Sequence, residues 1–100
     1  MYVIVWQYKV KPENREKFEN IYGPEGLWAD FFRTSAYYKG TCLFNSEQFS
    51  DVYLLLDFWD TKEAYAHFTT AQADTYQRLS FQFQDVYQEE AKVDTYYAIH

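Results

Sequence analysis

His67 and Asp57 are the two side chains whose types and settings bear most directly on chemistry. An imidazole titrates near neutral pH and can serve as a general base. His100 is the other histidine of the sequence, and His67 is the one expected to lie within a regular element. Its neighbours Ala64, Ala66 and Phe68 form no catalytic constellation, so a structural or surface role stands beside a pocket-lining one. Asp57 is the one acid embedded in the apolar run VYLLLDFW. On a half-covered strand an ionised carboxylate needs a partner such as Arg or a Tyr hydroxyl, or else its pKa rises. A structural pair at a subunit interface ranks ahead of catalysis for this residue. Trp6, Tyr8, Trp28, Phe32, Tyr38, Tyr65, Phe68 and Tyr76 could line an apolar cleft with hydroxyls at its rim, and the same rings serve equally as ordinary core. No G-x-S-x-G motif and no Gly-rich phosphate loop is present, so hydrolase and nucleotide readings fall away. Cys42 is the lone cysteine, with no Cys or His at metal-ligand spacing nearby. It reads as a small buried hydrophobe, and no metal site is expected.

The elements that must hold these residues follow from periodicity. Tyr2 to Val10 alternates as a strand, with Ile4, Trp6, Tyr8 and Val10 on one face and Val3, Val5, Gln7 and Lys9 on the other. Pro12 suits a first helical position, and Phe18, Ile21 and Tyr22 carry helical spacing up to Gly23-Pro24. A second short helix is expected from about Pro24 to Arg33, its apolar surface made by Leu27, Trp28, Phe31 and Phe32. Ala36 to Asn45 reads as a strand joined by a polar connection to the strand beginning at Val52. In that strand Val52, Leu54, Leu56 and Phe58 alternate with Tyr53, Leu55, Asp57 and Trp59, and both sets are largely apolar. Asp60 with Glu63 three residues on predicts a capping box for the next helix. Thr69 and Thr70 mark a weak point, after which Gln72 to Glu90 predicts an amphipathic helix of about five turns. Val93, Thr95, Tyr97 and Ile99 form a closing strand.

The order is β-α-β-β-α-β, an α+β, ferredoxin-like antiparallel sheet with its helices on one face. In the first and third strands the uncovered face would carry Val3, Val5, Tyr53, Leu55 and Trp59, or the complementary set if the register is reversed. Leaving such a patch wet costs about 25 cal/mol per Å² of apolar surface. A homodimer packing sheet against sheet is therefore expected. At 100 residues one domain spanning 1–100 accommodates the chain, and 23% aromatic content excludes a disordered profile. A formal net charge of −6 argues against a nucleic-acid partner. No apolar run approaches the roughly 20 residues that span a bilayer, and no charged leader precedes the first strand, so a cytoplasmic location with no membrane partner is expected.

The segments VIVWQYKVKPENREKFENIYG, GLWADFFRTSAYYKGTCLF, LLLDFWDTKEAYAHF and YQRLSFQFQDVYQEE together resemble the antibiotic biosynthesis monooxygenase family of the dimeric α+β barrel superfamily, over essentially the whole chain. The resemblance implies a dimer whose sheets face each other. It also implies a pocket between the sheet and the helices, and membership of a group that includes cofactor-independent oxygenases of aromatic polyketides and haem-degrading enzymes. Aligned without gaps, Trp6, Phe68 and Arg78 fall where the haem-degrading branch has Asn, Trp and His, and none is retained. No axial nitrogen for haem iron is evident at that point. Thr70, Ala71, Gln72 and Ala73 stand where other members carry Ser-Pro-His-His, which removes another candidate base. The function implied is a cofactor-independent monooxygenase acting with dioxygen on a small aromatic or polyketide-like substrate. His67, Tyr38 and Arg78 are its candidate catalytic residues, and Trp6, Tyr8, Trp28, Phe32, Tyr65, Phe68 and Tyr76 its candidate substrate-binding residues. No cofactor is expected. The alternative is a non-catalytic small-molecule binding module of the same dimeric fold.

Overall fold

Two strand-helix-strand halves built from these patterns interleave into one four-stranded antiparallel sheet of order β2-β3-β1-β4. The computed structural model describes residues 1–99. Its elements are β1 (Tyr2–Lys9), α1 (Arg15–Tyr22, entered through a short turn at Pro12–Asn14), α2 (Leu27–Phe32), β2 (Tyr38–Asn45), β3 (Val52–Trp59), α3 (Lys62–Ala71), α4 (Ala73–Phe83) and β4 (Glu89–Tyr97). This is the ferredoxin-like plan expected from the order of elements. The core lies between the helices and one sheet face. Ile4, Val10, Phe18, Tyr53 and Trp59 are its most deeply buried side chains.

Helix α1 buries the expected stripe of Phe18, Ile21 and Tyr22. Gly26 then lets α2 start tight against it, since a Cβ there would sit 2.4 Å from the Ile21 carbonyl oxygen. Helix α2 is shorter than expected and buries Trp28, Ala29 and Phe32, while Leu27 is exposed.

Three expectations are corrected. The cap of α3 is Thr61, whose hydroxyl accepts from the Ala64 N–H at 3.0 Å. Asp60 instead donates its backbone N–H to the Tyr37 carbonyl, so it belongs to the strand junction. The long helix expected over 72–90 ends at Phe83, with a tight turn at Gln84–Val86. Val86 keeps the helical spacing from Phe83 and is buried, but Gln88 bonds Lys9, and Glu89 and Glu90 pair with Lys9 and Tyr8 of β1. Ladder bonds to β1 thus capture a segment whose periodicity alone reads as helix. The third correction concerns the face of β3. Register places Phe58, Leu56 and Leu54 beside Val3, Val5 and Gln7 on the uncovered side, and turns Tyr53, Leu55, Asp57 and Trp59 toward the helices. The uncovered face therefore carries Val3 and Val5 as expected, but Leu54, Leu56 and Phe58 in place of Tyr53, Leu55 and Trp59.

Cys42 is exposed on that same face of the single chain, opposite Leu56, and is not a core residue. No helix among the described residues is long and apolar enough to cross a membrane.

Candidate functional site

A cavity of about 250 Å³ opens between the helix-facing side of the sheet and helices α1, α2 and α4. Strand β1 contributes Trp6 and Tyr8, β3 contributes Leu55 and Asp57, and β2 contributes Thr41. Tyr22, Trp28, Phe32, Tyr76 and Ser80 form the helical roof, and Tyr87 and Glu90 close the side next to β4. The rings touch in sequence around the wall. Tyr8 meets Tyr22 at 5.1 Å and Tyr87 at 5.3 Å between centroids, and Trp28 meets Phe32 at 5.7 Å and Tyr76 at 5.3 Å. Edge-to-face and tilted packing of this kind is the arrangement that aromatic pairs favour.

Asp57 is the chemically distinctive member. It is 7% exposed, the one charged residue type in the buried set, and its carboxylate accepts from Thr41 Oγ1 at 2.7 Å. Tyr38 hydrogen-bonds Thr41 in turn. Thr41 has a single proton and gives it to Asp57, so the Tyr38 hydroxyl is the donor and the chain runs Tyr38 to Thr41 to Asp57. Burial raises the Asp57 pKa to about 6, and the Thr41 hydrogen bond partly opposes the shift. Only Oδ1 is engaged by the protein among the described residues.

A backbone irregularity makes this relay possible. Residues three apart on a regular strand point to opposite faces. The β2 register slips between Tyr38 and Gly40, and Gly40 has φ +118°, so Tyr38 and Thr41 both face the helices. A Cβ at Gly40 would meet nothing within 4 Å, leaving backbone strain as its cost. Gly40→Ala is expected to lower stability by about 1–3 kcal/mol in denaturant unfolding.

Tyr8 and Tyr38 are donors here. Tyr8 gives its proton to Glu90 Oε2 at 2.7 Å, and burial, with the Glu90 charge adding to it, pushes its pKa far up. Burial likewise raises Tyr22, Tyr76 and Tyr38. These tyrosines therefore stay protonated near neutrality, whereas the raised pKa of the Asp57 carboxylate lies close to that range. The Trp28 indole N–H is buried in the wall with no hydrogen-bond partner among the described residues.

Of the residues expected to bind substrate, Trp6, Tyr8, Trp28, Phe32 and Tyr76 line the cavity. Tyr65 packs instead on Trp59 at 5.5 Å, and Phe68 is buried between Phe31 and Trp59. Of the expected catalytic residues, Tyr38 is buried and stands behind Thr41, one step from the cavity. His67 is exposed and lines a separate shallow groove with Tyr37, Ala64 and Gln72. Arg78 is exposed on α4 and takes no part in the cavity wall. Asp57 does not face the uncovered side, so pairing across it is closed to this residue. Tyr22, Thr41, Leu55, Ser80, Tyr87 and Glu90 also line the cavity, outside the expected cleft. The periodicity of 72–90 reads Glu90 as helical, and Thr41 reaches the cavity only through the bulge. Among the described residues no group of three or more His, Cys, Asp or Glu side chains gathers at metal-binding distance.

No family model and no curated protein matches the sequence. Solved structures do match in shape. A protein from Deinococcus radiodurans that carries the name antibiotic biosynthesis monooxygenase superposes with a TM-score of 0.75 at 12% identity, covering 100% of this chain and 94% of that one. A variant of SnoaB, a cofactor-independent oxygenase from Streptomyces nogalater, gives 0.75 at 15% identity, with 99% and 93% covered. A protein from Nitrosomonas europaea that carries the same name as the first gives 0.72 at 16% identity, with both chains covered in full. This chain thus has the fold of proteins named antibiotic biosynthesis monooxygenases.

Proposed function

We propose that this protein is a cofactor-independent monooxygenase of a small phenolic aromatic, acting as a homodimer with Asp57 as the proton acceptor. The observation that carries the reading is a buried carboxylate titrating at about 6 in the wall of a cavity made mostly of rings. A general base works best when its pKa lies near the operating pH. About 250 Å³ lies just below the roughly 300–1,000 Å³ of typical ligand pockets, which suits one or two fused rings in preference to a larger polyketide.

In this reaction Asp57 takes the phenolic proton, so its negative charge passes to the substrate as an electron-rich phenolate beside the now neutral acid, and the net charge of the cavity is unchanged. The phenolate gives one electron to dioxygen, and the resulting pair of radicals joins through a new C–O bond at a ring carbon. The O–O bond then breaks. One oxygen stays as the second carbonyl of a quinone, and the other leaves as water with the phenolic hydrogen and the ring hydrogen. Substrate supplies all four electrons. The protein contributes orientation, the proton acceptor and exclusion of water.

The test is oxygen uptake with a panel of naphthols and hydroquinones, with quinone followed by absorbance. One dioxygen consumed per quinone formed, with no hydrogen peroxide released, is expected, unchanged after dialysis against a chelator. Ligand-dependent stabilisation with no oxygen uptake would identify a non-catalytic binding module instead.

A further inference from the structure

We infer that the cavity selects a cationic aromatic amine, with the ring over Trp6 and the ammonium group at Glu90. The inference rests on the cavity being the binding site and names the class of molecule it takes.

Of the twelve residues lining the cavity, seven are aromatic, two are carboxylates, and none is Lys, Arg or His. A ring that presents its face to a ligand offers negative π-density, whereas its edge is positive. The two carboxylates add to that field, and the chain as a whole carries −6. An anionic ligand would be desolvated with no counter-charge, a neutral one would lose nothing, and a cation would gain from rings and carboxylates together.

The register sets where the charge should sit. Asp57 lies opposite Ile4 on one side of β1, and Glu90 lies opposite Tyr8 on the other. Ile4 and Tyr8 are separated by about 13 Å along the strand at roughly 3.3 Å per residue. Trp6 stands midway on the same face, only partly buried. Asp57 is the buried end and Glu90 the exposed end. A ligand with a hydroxyl at one end and an amine at the other spans them, hydroxyl inward and ammonium at the mouth.

Glu90 is held in place by the Tyr8 hydroxyl at 2.7 Å and retains acceptor capacity for a second donor. Lys92 lies on the same side of β4, opposite Trp6, but is exposed, does not line the cavity, and makes no ion pair with Glu90 among the described residues.

Three probes sharing one ring system test this: naphthylmethylammonium, naphthalenemethanol and naphthoate, titrated into the intact protein at neutral pH and low salt with calorimetric readout. The ammonium is expected to bind about tenfold more tightly than the alcohol, and the carboxylate about tenfold more weakly. Glu90→Gln, with its fold checked by circular dichroism, should bring the ratio of ammonium to alcohol affinity down to about one. Equal binding of all three, or an ammonium preference that survives Glu90→Gln, overturns the charge selection while the cavity stands as a neutral aromatic site. If none of the three binds, the inference falls together with the cavity as a binding site.

Discussion

Asp57→Asn is expected to abolish oxygen uptake and, above pH 6, to make the protein more stable. The amide cannot accept the phenolic proton, and loss of a positioned general base costs about 10²–10⁴-fold in rate. It fits the same space and keeps an oxygen where Thr41 donates, so the relay from Tyr38 remains in place. The stability change follows from linkage. The folded pKa of Asp57 is raised from 3.8 to about 6. Below the lower value the side chain is protonated in both folded and unfolded chains, and the wild-type protein bears no penalty. As pH rises through the upper value the folded protein must ionise a buried carboxylate, and the stability held at low pH is lost. At about 1.4 kcal/mol per pKa unit the full difference is about 3 kcal/mol above pH 7. The variant never ionises. Its thermal midpoint should match wild type near pH 3.5 and exceed it by on the order of 10 °C at pH 8. On the proposed reading, kcat/KM of the wild-type protein should rise with pH through an apparent pKa of about 6, as the base becomes available. His67→Gln serves as the contrast, because His67 lies in a separate exposed groove, and it should retain turnover. Retained turnover in Asp57→Asn, or its loss in His67→Gln, would remove Asp57 from the base role.

Leu56→Glu is expected to convert a dimer into a folded monomer. Leu56 stands on the uncovered sheet face between Val5 on β1 and Cys42 on β2. Around it Leu54 is 38% exposed, Phe44 53% and Tyr96 49%, side chains on three strands of one surface. We propose that a second copy covers this face, because a contiguous apolar surface gains by closing on its own two-fold mate. A carboxylate at its centre would be buried without a partner in the dimer, at a cost of several kcal/mol. In the monomer it would simply point into water. The variant should therefore sediment as a single chain at micromolar concentration, where wild type sediments as two, with circular dichroism unchanged. The Cys42 thiol reports on the same surface. It is exposed in the single chain, so a thiol reagent should react with it readily in the variant and slowly in the covered wild-type protein. A wild-type protein that sediments as one chain, with Cys42 freely reactive, would rule the dimer out.

The order of strands and helices was legible because each element announces itself locally. Ile4 and Tyr8 alternate on β1, Phe18, Ile21 and Tyr22 repeat on α1, and Pro12 and Gly23 mark boundaries. Period and punctuation are properties of neighbouring residues, and they sufficed for the ferredoxin-like plan and for most of the rings that line the cavity. Two features were decided only by tertiary structure. Both faces of β3 are apolar, so alternation alone could not tell which of them meets the helices, and Asp57 travels with that choice. Pairing with β1 and β2 resolves it, carrying Asp57 away from the open face and into the cavity. Glu90 and Thr41 depend on distant partners in the same way. Val86 and Tyr87 continue a helical spacing until the β1 ladder takes over, and Thr41 turns inward only where the bulge at Gly40 shifts the register. Residue types and local periods thus determined which side chains were available. The face each one turned to was set by hydrogen bonds between strands far apart in the chain, because a one-residue shift in register moves every side chain to the opposite side of the sheet.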